Sequence, residues 1–103
     1  MNKVAWVSVD PVRRKVDVYP QIISKRIEKA YSERDLSIKN SCCILGSDYY
    51  NATVHFHYSG SCYQTTPGQS LGRAGFKQPG YRTVKRYILS ESLNIEVYIK
   101  RVH

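Results

Sequence analysis

Only one stretch of this chain carries a helical period. Ile23, Ile27, Ala30 and Tyr31 fall at i, i+4, i+7 and i+8, a single apolar stripe, and Lys25, Arg26, Glu28 and Lys29 take the other side. Pro20 stands where a helix starts well, because its missing N–H would have no partner in the first turn. The spacing predicts one helix, Pro20 to Glu33. A lone short helix has to bury its stripe on a surface supplied by the rest of the chain.

That remainder reads with a period of two. Lys3 to Val9 is strand-like, with Val4, Trp6 and Ser8 on one face and Ala5, Val7 and Val9 on the other. Both faces are largely apolar, so the pattern does not choose the inward one. Asp10-Pro11 signals a turn, and Val16 to Tyr19 a second short strand, giving a hairpin around Arg13-Arg14. After the helix, Leu36 and Ile38 suggest a strand start, and Cys42 to Leu45 form an apolar run ending at Gly46. Thr53 to Tyr58 alternates well, with His55 and His57 opposite Val54, Phe56 and Tyr58. Ser59-Gly60 reads as a turn and Cys62 to Thr66 as the returning strand. Pro67 to Gly80 holds two prolines and four glycines, a loop. Tyr81 to Leu89 and Leu93 to Val102 complete the expected strands, joined near Ser90-Glu91-Ser92. The order predicts an α+β fold, one helix on an antiparallel sheet.

At 103 residues the chain is expected to form one domain, 1–103, with a modest core. Its end directly after an expected strand points to the N-terminal domain of a longer protein. The net charge of +8 favours polyanions or an acidic protein partner. From Tyr49 onward seven basic residues face only Glu91 and Glu96. Three cysteines, two of them vicinal (Cys42, Cys43) and one at Cys62, make a poor disulfide framework and suit an intracellular, reducing compartment. No apolar run approaches membrane-spanning length and no signal peptide is visible.

Catalysis is not expected. GxSxG, HExxH and P-loop patterns are missing, His55 and His57 read as solvated polar residues of a strand, and no spacing supports a metal or cofactor. Binding fits better. Tyr63 and Gln64 precede the glycine-rich loop, and Tyr81, Arg82 and Arg86 follow it. An aromatic face and an amide suit a flat base, and a guanidinium fork suits phosphate. Arg82 and Arg86, four apart in a strand, share a face, whereas Lys85 points the other way. The reading requires Gln64 and Arg82 to converge.

Three blocks resemble the WWE domain, a small module with one helix against a strongly bent half-barrel sheet. The first is Ala5-Trp6, where the family places a tryptophan in its first strand. The second is Tyr19 followed by Ser24, Ile27, Glu28, Ala30 and Tyr31. The third is Tyr63-Gln64, a loop, and Gly80 to Arg86, similar to the family's Gln strand and basic strand. The likeness covers roughly Val4 to Leu89. It departs at the second tryptophan, where Val16 to Tyr19 stand, at the family's terminal Glu, and in the length of the loop.

WWE domains bind the iso-ADP-ribose unit of poly(ADP-ribose) or contact partner proteins. The resemblance therefore implies a noncatalytic recognition module for one of these. Arg82 matches the family's phosphate-binding Arg, and Gln64 its ligand-contacting amide, with Tyr63 competing for that alignment. A family tyrosine before the central strand corresponds to Tyr49 or Tyr50, of which Tyr50 is the expected ligand contact. Two other readings stand beside it. One is a scaffold domain that self-associates or pairs with a partner through its Tyr-rich face or last strand. The other is a single-stranded nucleic-acid binder using stacked tyrosines and the positive charge.

Overall fold

The computed structural model describes residues 2–67 and 81–102, so most of the expected Pro67 to Gly80 loop lies outside the described residues. In chain order the elements are β1 (Asn2–Val9), β2 (Val16–Val18), α1 (Gln21–Ser32), β3 (Asn40–Gly46), a 3₁₀ turn (Ser47–Tyr49), β4 (Ala52–His57), β5 (Cys62–Thr65), β6 (Tyr81–Ser90) and α2 (Ile95–Val102). The strands form one open antiparallel sheet in the order β2-β1-β6-β5-β4-β3. The fold is α+β.

The Ile23/Ile27 stripe of α1 decides which sheet face is the core. It packs on Trp6, Cys43, Leu45, Val54, Phe56 and Val84, with Ala30 and Tyr31 at its margin. Alternation then places Trp6, Ser8, Gln64, Arg82, Val84 and Arg86 on this helix-side face. Burying Ile23 and Ile27 stabilises the packing by roughly 1.5–3 kcal/mol each. Trp6 is buried edge-on against Tyr31, centroids 5.2 Å apart.

The β1–β2 hairpin closes because Asp10 organises its own turn. Its carboxylate accepts from the backbone N–H groups of Val12 and Arg13 at 2.8 and 3.1 Å, and its main-chain N–H reaches the Lys15 carbonyl.

Two expectations change. Leu36 and Ile38 do not begin a strand. They are exposed in a turn that Asp35 holds by accepting from the Ser37 N–H and hydroxyl, and the strand starts at Asn40. The terminal segment expected as a strand from Leu93 to Val102 holds instead the helix α2 (Ile95–Val102), so the described residues form two α-helices rather than one. Ile95, Val97 and Ile99 imitate a period of two, but Val97 is exposed and Ile99 buried. Asn94 resolves the ambiguity, its side-chain oxygen accepting from the N–H groups of Glu96 and Val97 at 2.8 and 3.3 Å as an N-cap. Glu96 in the first turn and Lys100 and Arg101 in the last suit the helix dipole. The helix places Tyr98 against Tyr87 on the sheet face opposite α1. Edge pairing through a last strand therefore has no strand to use. No helix among the described residues is long and apolar enough to cross a membrane.

Replacing Asn94 with Ala is expected to weaken the α2 cap by about 1 kcal/mol. Amide exchange at Val97, Tyr98 and Ile99 should then quicken several-fold while the exchange of β4 stays unchanged. Equal quickening in both would show that α2 is not an independent unit.

Candidate functional site

Register brings the amide and one guanidinium together. Gln64 and Arg82 are directly opposite across β5 and β6, on the helix-side face. Gln64 is buried, and its oxygen accepts from the Tyr19 hydroxyl at 2.5 Å while its nitrogen donates to the Thr66 hydroxyl at 3.0 Å. Burial pushes the Tyr19 hydroxyl well above its ordinary pKa, so it stays a donor to that amide.

Arg82 lies nearer the surface, its side chain 22% exposed. Nε donates to the Ser8 hydroxyl at 2.9 Å, and one terminal nitrogen reaches Asp17 at 2.7 Å and the carbonyls of Ser8 and Lys15. Asp17 is half exposed, so the outer end of this ion pair meets water. Beside it Tyr49 packs on Tyr19, centroids 5.3 Å apart, and Tyr50 packs edge-on against Tyr49 at 5.0 Å. Tyr50 and Asn51 both adopt positive φ, 58° and 54°, which turns the exposed Tyr50 ring out at the end of the 3₁₀ turn. Together these residues form a rim at one end of the helix-side face.

Arg86, expected beside Arg82 in the same site, is engaged elsewhere. Its Nε and a terminal nitrogen grip both oxygens of Glu28 at 2.8 and 2.7 Å. The Trp6 indole N–H donates to the same carboxylate at 2.9 Å. Three N–H donors hold the Glu28 carboxyl below its usual pKa, Arg86 the largest influence. Arg86 thus fastens α1 to the sheet.

Tyr63 and Tyr81 leave the helix-side face altogether. They pair with Thr83 and Thr65 and project from the opposite one. There the Tyr63 ring stacks on His55, centroids 4.5 Å apart and nearly parallel, and meets the Tyr81 ring edge-on at 6.3 Å. The six expected residues therefore divide into a rim (Gln64, Arg82, Tyr50), a clamp (Arg86) and an aromatic row on the far face (Tyr63, Tyr81). Sequence reasoning missed Asp17, Ser8 and Tyr19 as partners of the rim. Their signal, polar groups on β1 and β2 aligned with a basic strand, becomes visible only with the register.

Among the described residues no group of three His, Cys, Asp or Glu side chains gathers to hold a metal ion. Burial pushes the Cys43 and Cys62 thiols up, which keeps them protonated and poor as nucleophiles. A cavity of about 780 Å³ meets the rim residues only at Tyr19. It is bounded by Lys3 to Ala5 of β1, by Val18 to Pro20 where the chain leaves β2, by one side of α1, and by Ile95 and Glu96 of α2. Comparison with family models, with curated proteins and with solved structures gives no match.

Glu28→Gln should test the clamp. It removes the charge that Arg86 and Trp6 address and is expected to cost about 2 kcal/mol near neutral pH. The carboxyl's folded pKa lies below its unfolded value, so its stabilisation is complete above about pH 4.5 and is lost as pH falls through the lower folded value. The gap between wild type and variant in urea unfolding should therefore shrink from about pH 4.5 downward. A gap that holds constant to pH 3 would mean the carboxylate charge is not what stabilises.

Proposed function

We propose that this chain is a noncatalytic recognition module of WWE type, and that its rim takes an ADP-ribose-type ligand. The observation that carries the reading is the opposition of Gln64 and Arg82 on one face, with an exchangeable carboxylate, Asp17, on the outer side of the guanidinium. On this reading the open sheet is the family's strongly bent half-barrel. Trp6, Tyr19, Ser24, Ile27, Glu28 and Tyr31 hold the helix to it.

A ligand phosphate displaces Asp17 and takes the outer nitrogens of Arg82, a charge-assisted contact that a planar fork makes well. The Ser8 hydroxyl holds Nε in place, so the fork is already oriented. The exposed Tyr50 ring, backed by Tyr49, gives a base a face to stack on. Gln64 fixes Tyr19 beneath the site. Arg86, tied to Glu28, contributes by keeping α1 in place.

Calorimetry with iso-ADP-ribose tests this reading. Arg82→Ala is expected to lose on the order of 2–3 kcal/mol, roughly 30- to 150-fold in affinity. Asp17→Asn is expected to tighten binding by about two- to fivefold, the worth of a partly exposed ion pair that no longer competes. Absence of heat at millimolar ligand, or an Arg82→Ala variant that binds as wild type does, would remove the ligand.

A second reading uses the far face. The His55–Tyr63 stack with Tyr81 beside it is a row of π-faces, and Lys85 projects from the same side of β6. Burial lowers the His55 pKa, so its ring is neutral near pH 7 and stacks without a charge. Such a row suits unpaired bases. Anisotropy titration of a labelled single strand should then show steep salt dependence and a several-fold loss in Tyr63→Ala. No signal at low salt would exclude it.

A further inference from the structure

The sheet has two ends, and they are finished differently. At the β3 end, Arg26 of α1 donates to the Leu45 carbonyl and pairs with Asp48, so a helix side chain covers one main-chain group near the end of that strand. At the other end, β2 covers only part of its neighbour. It pairs with Val7, Ser8 and Val9 and then turns away at Pro20. Tyr19 still donates to the Trp6 carbonyl at 3.0 Å, and the Trp6 N–H goes to the Ser24 hydroxyl at 3.2 Å. Both main-chain groups of Trp6 thus point away from β6. Antiparallel pairing alternates, so the N–H and C=O of Val4 and Asn2 point the same way. Among the described residues nothing pairs with the Val4 groups.

The space beside this open edge is the 780 Å³ cavity. One helix stands on each side of it, α1 presenting Ser24, Lys25 and Glu28, and α2 presenting Ile95 and Glu96. We propose that the open edge of β1 between Asn2 and Ala5 is a docking groove for an extended acidic peptide of a partner protein, which adds to the sheet as a short strand where β2 leaves off.

Backbone pairing supplies the affinity, because an unpaired edge offers alternating donors and acceptors at strand spacing. About four residues fit along Asn2 to Ala5 at ~3.4 Å each. Side chains of the added strand alternate between the two helices. The charge of the walls selects acidic sequences. Among the described residues Lys3 and Lys25 carry no ion pair, and Lys29 shares only an exposed one with Glu33. Glu28 is spent on Arg86 and Trp6, which leaves Glu96 as the opposing carboxylate. Val4, Ala5 and Ile95 give the groove its apolar part. Tyr19 lines this groove and also bonds Gln64 of the rim, but Lys3 and Lys25 belong to the groove alone and Arg82 to the rim alone, so substitutions there separate the two.

A displayed library of random octapeptides, panned on the full chain and on its Lys3→Glu/Lys25→Glu variant, tests the inference. Enrichment of sequences alternating Asp or Glu with apolar residues is expected on the wild-type chain alone. A selected peptide, titrated into ¹⁵N-labelled protein, should shift and protect the Val4 amide. It should bind at least tenfold more weakly to the variant, and at least tenfold more weakly again to wild type once its alternate amides are N-methylated. Circular dichroism of the variant should match that of the wild type. No enrichment, shifts centred on the Arg82 rim or the far face, or equal binding of the N-methylated peptide would each overturn the groove. So would a dimer in sedimentation that buries the Val4 amide, since a second copy would then be the occupant. Arg82→Ala should leave peptide binding unchanged, which separates a failure here from a failure of the ADP-ribose reading.

Discussion

One carboxylate holds the two layers together. Glu28 sits in the middle of α1 and accepts from Trp6 of β1 and Arg86 of β6, strands that are neighbours in the sheet. The apolar stripe alone would allow α1 to slide along the sheet, because hydrophobic contact is nondirectional. Three hydrogen bonds to one group fix the register of helix on sheet. Everything at the rim inherits that position. Tyr19 leads into α1 and lies under Gln64, and the hairpin carrying Asp17 is tied to the same strand as Trp6. The clamp also explains why two arginines four residues apart have different work. Arg86 faces the middle of the helix and finds a carboxylate, whereas Arg82 faces the hairpin and finds water beyond Asp17.

The helix, the hairpin and the alternating central strands were legible because each has a local cause. Ile23 and Ile27 repeat at the helical period, Asp10 makes its own turn, and Val54 and Phe56 alternate with His55 and His57. What could not be read was set by partners distant in sequence. The division of Tyr63 from Gln64 follows from adjacency in a strand and was available, yet an aromatic and an amide beside a loop suggested one cleft. The assignment of Arg86 to Glu28 spans 58 residues and required the docked helix. The terminal helix was misread for a local reason. Ile95, Val97 and Ile99 are β-branched and spaced by two, which reads as strand, whereas the capping Asn94 decides the segment as helix.

The two ends of the sheet leave their edges in different states. Arg26 spends a charged side chain to satisfy the Leu45 carbonyl and to hold the 3₁₀ turn through Asp48, whose carboxyl it keeps below the ordinary range. That same turn presents Tyr49 and Tyr50 to the rim, so the contact that covers one carbonyl of this edge also shapes the rim. At the β1 end, the chain must leave the sheet at Pro20 in time to start α1. The length of β2 is therefore limited by the helix it feeds, and the uncovered edge follows from connectivity.

The polarity of the rim narrows what it can hold. Tyr19 has a raised pKa and donates to Gln64, which assigns the amide oxygen to the interior and turns the NH₂ toward Thr66. Arg82 has only donors. Of its partners, Ser8 and two carbonyls are fixed parts of the scaffold, and Asp17 alone is a half-exposed side chain able to swing away. An incoming group must offer what Asp17 offers, a negative oxygen in the plane of the guanidinium. A neutral donor-rich ligand would leave Arg82 unpaired and partly buried, a loss greater than any stacking on Tyr50 returns. Phosphate and carboxylate meet the requirement equally at this one atom. What separates them is the aromatic step of Tyr49 and Tyr50 next to it, which a flat base joined to the phosphate covers and an isolated carboxylate leaves bare.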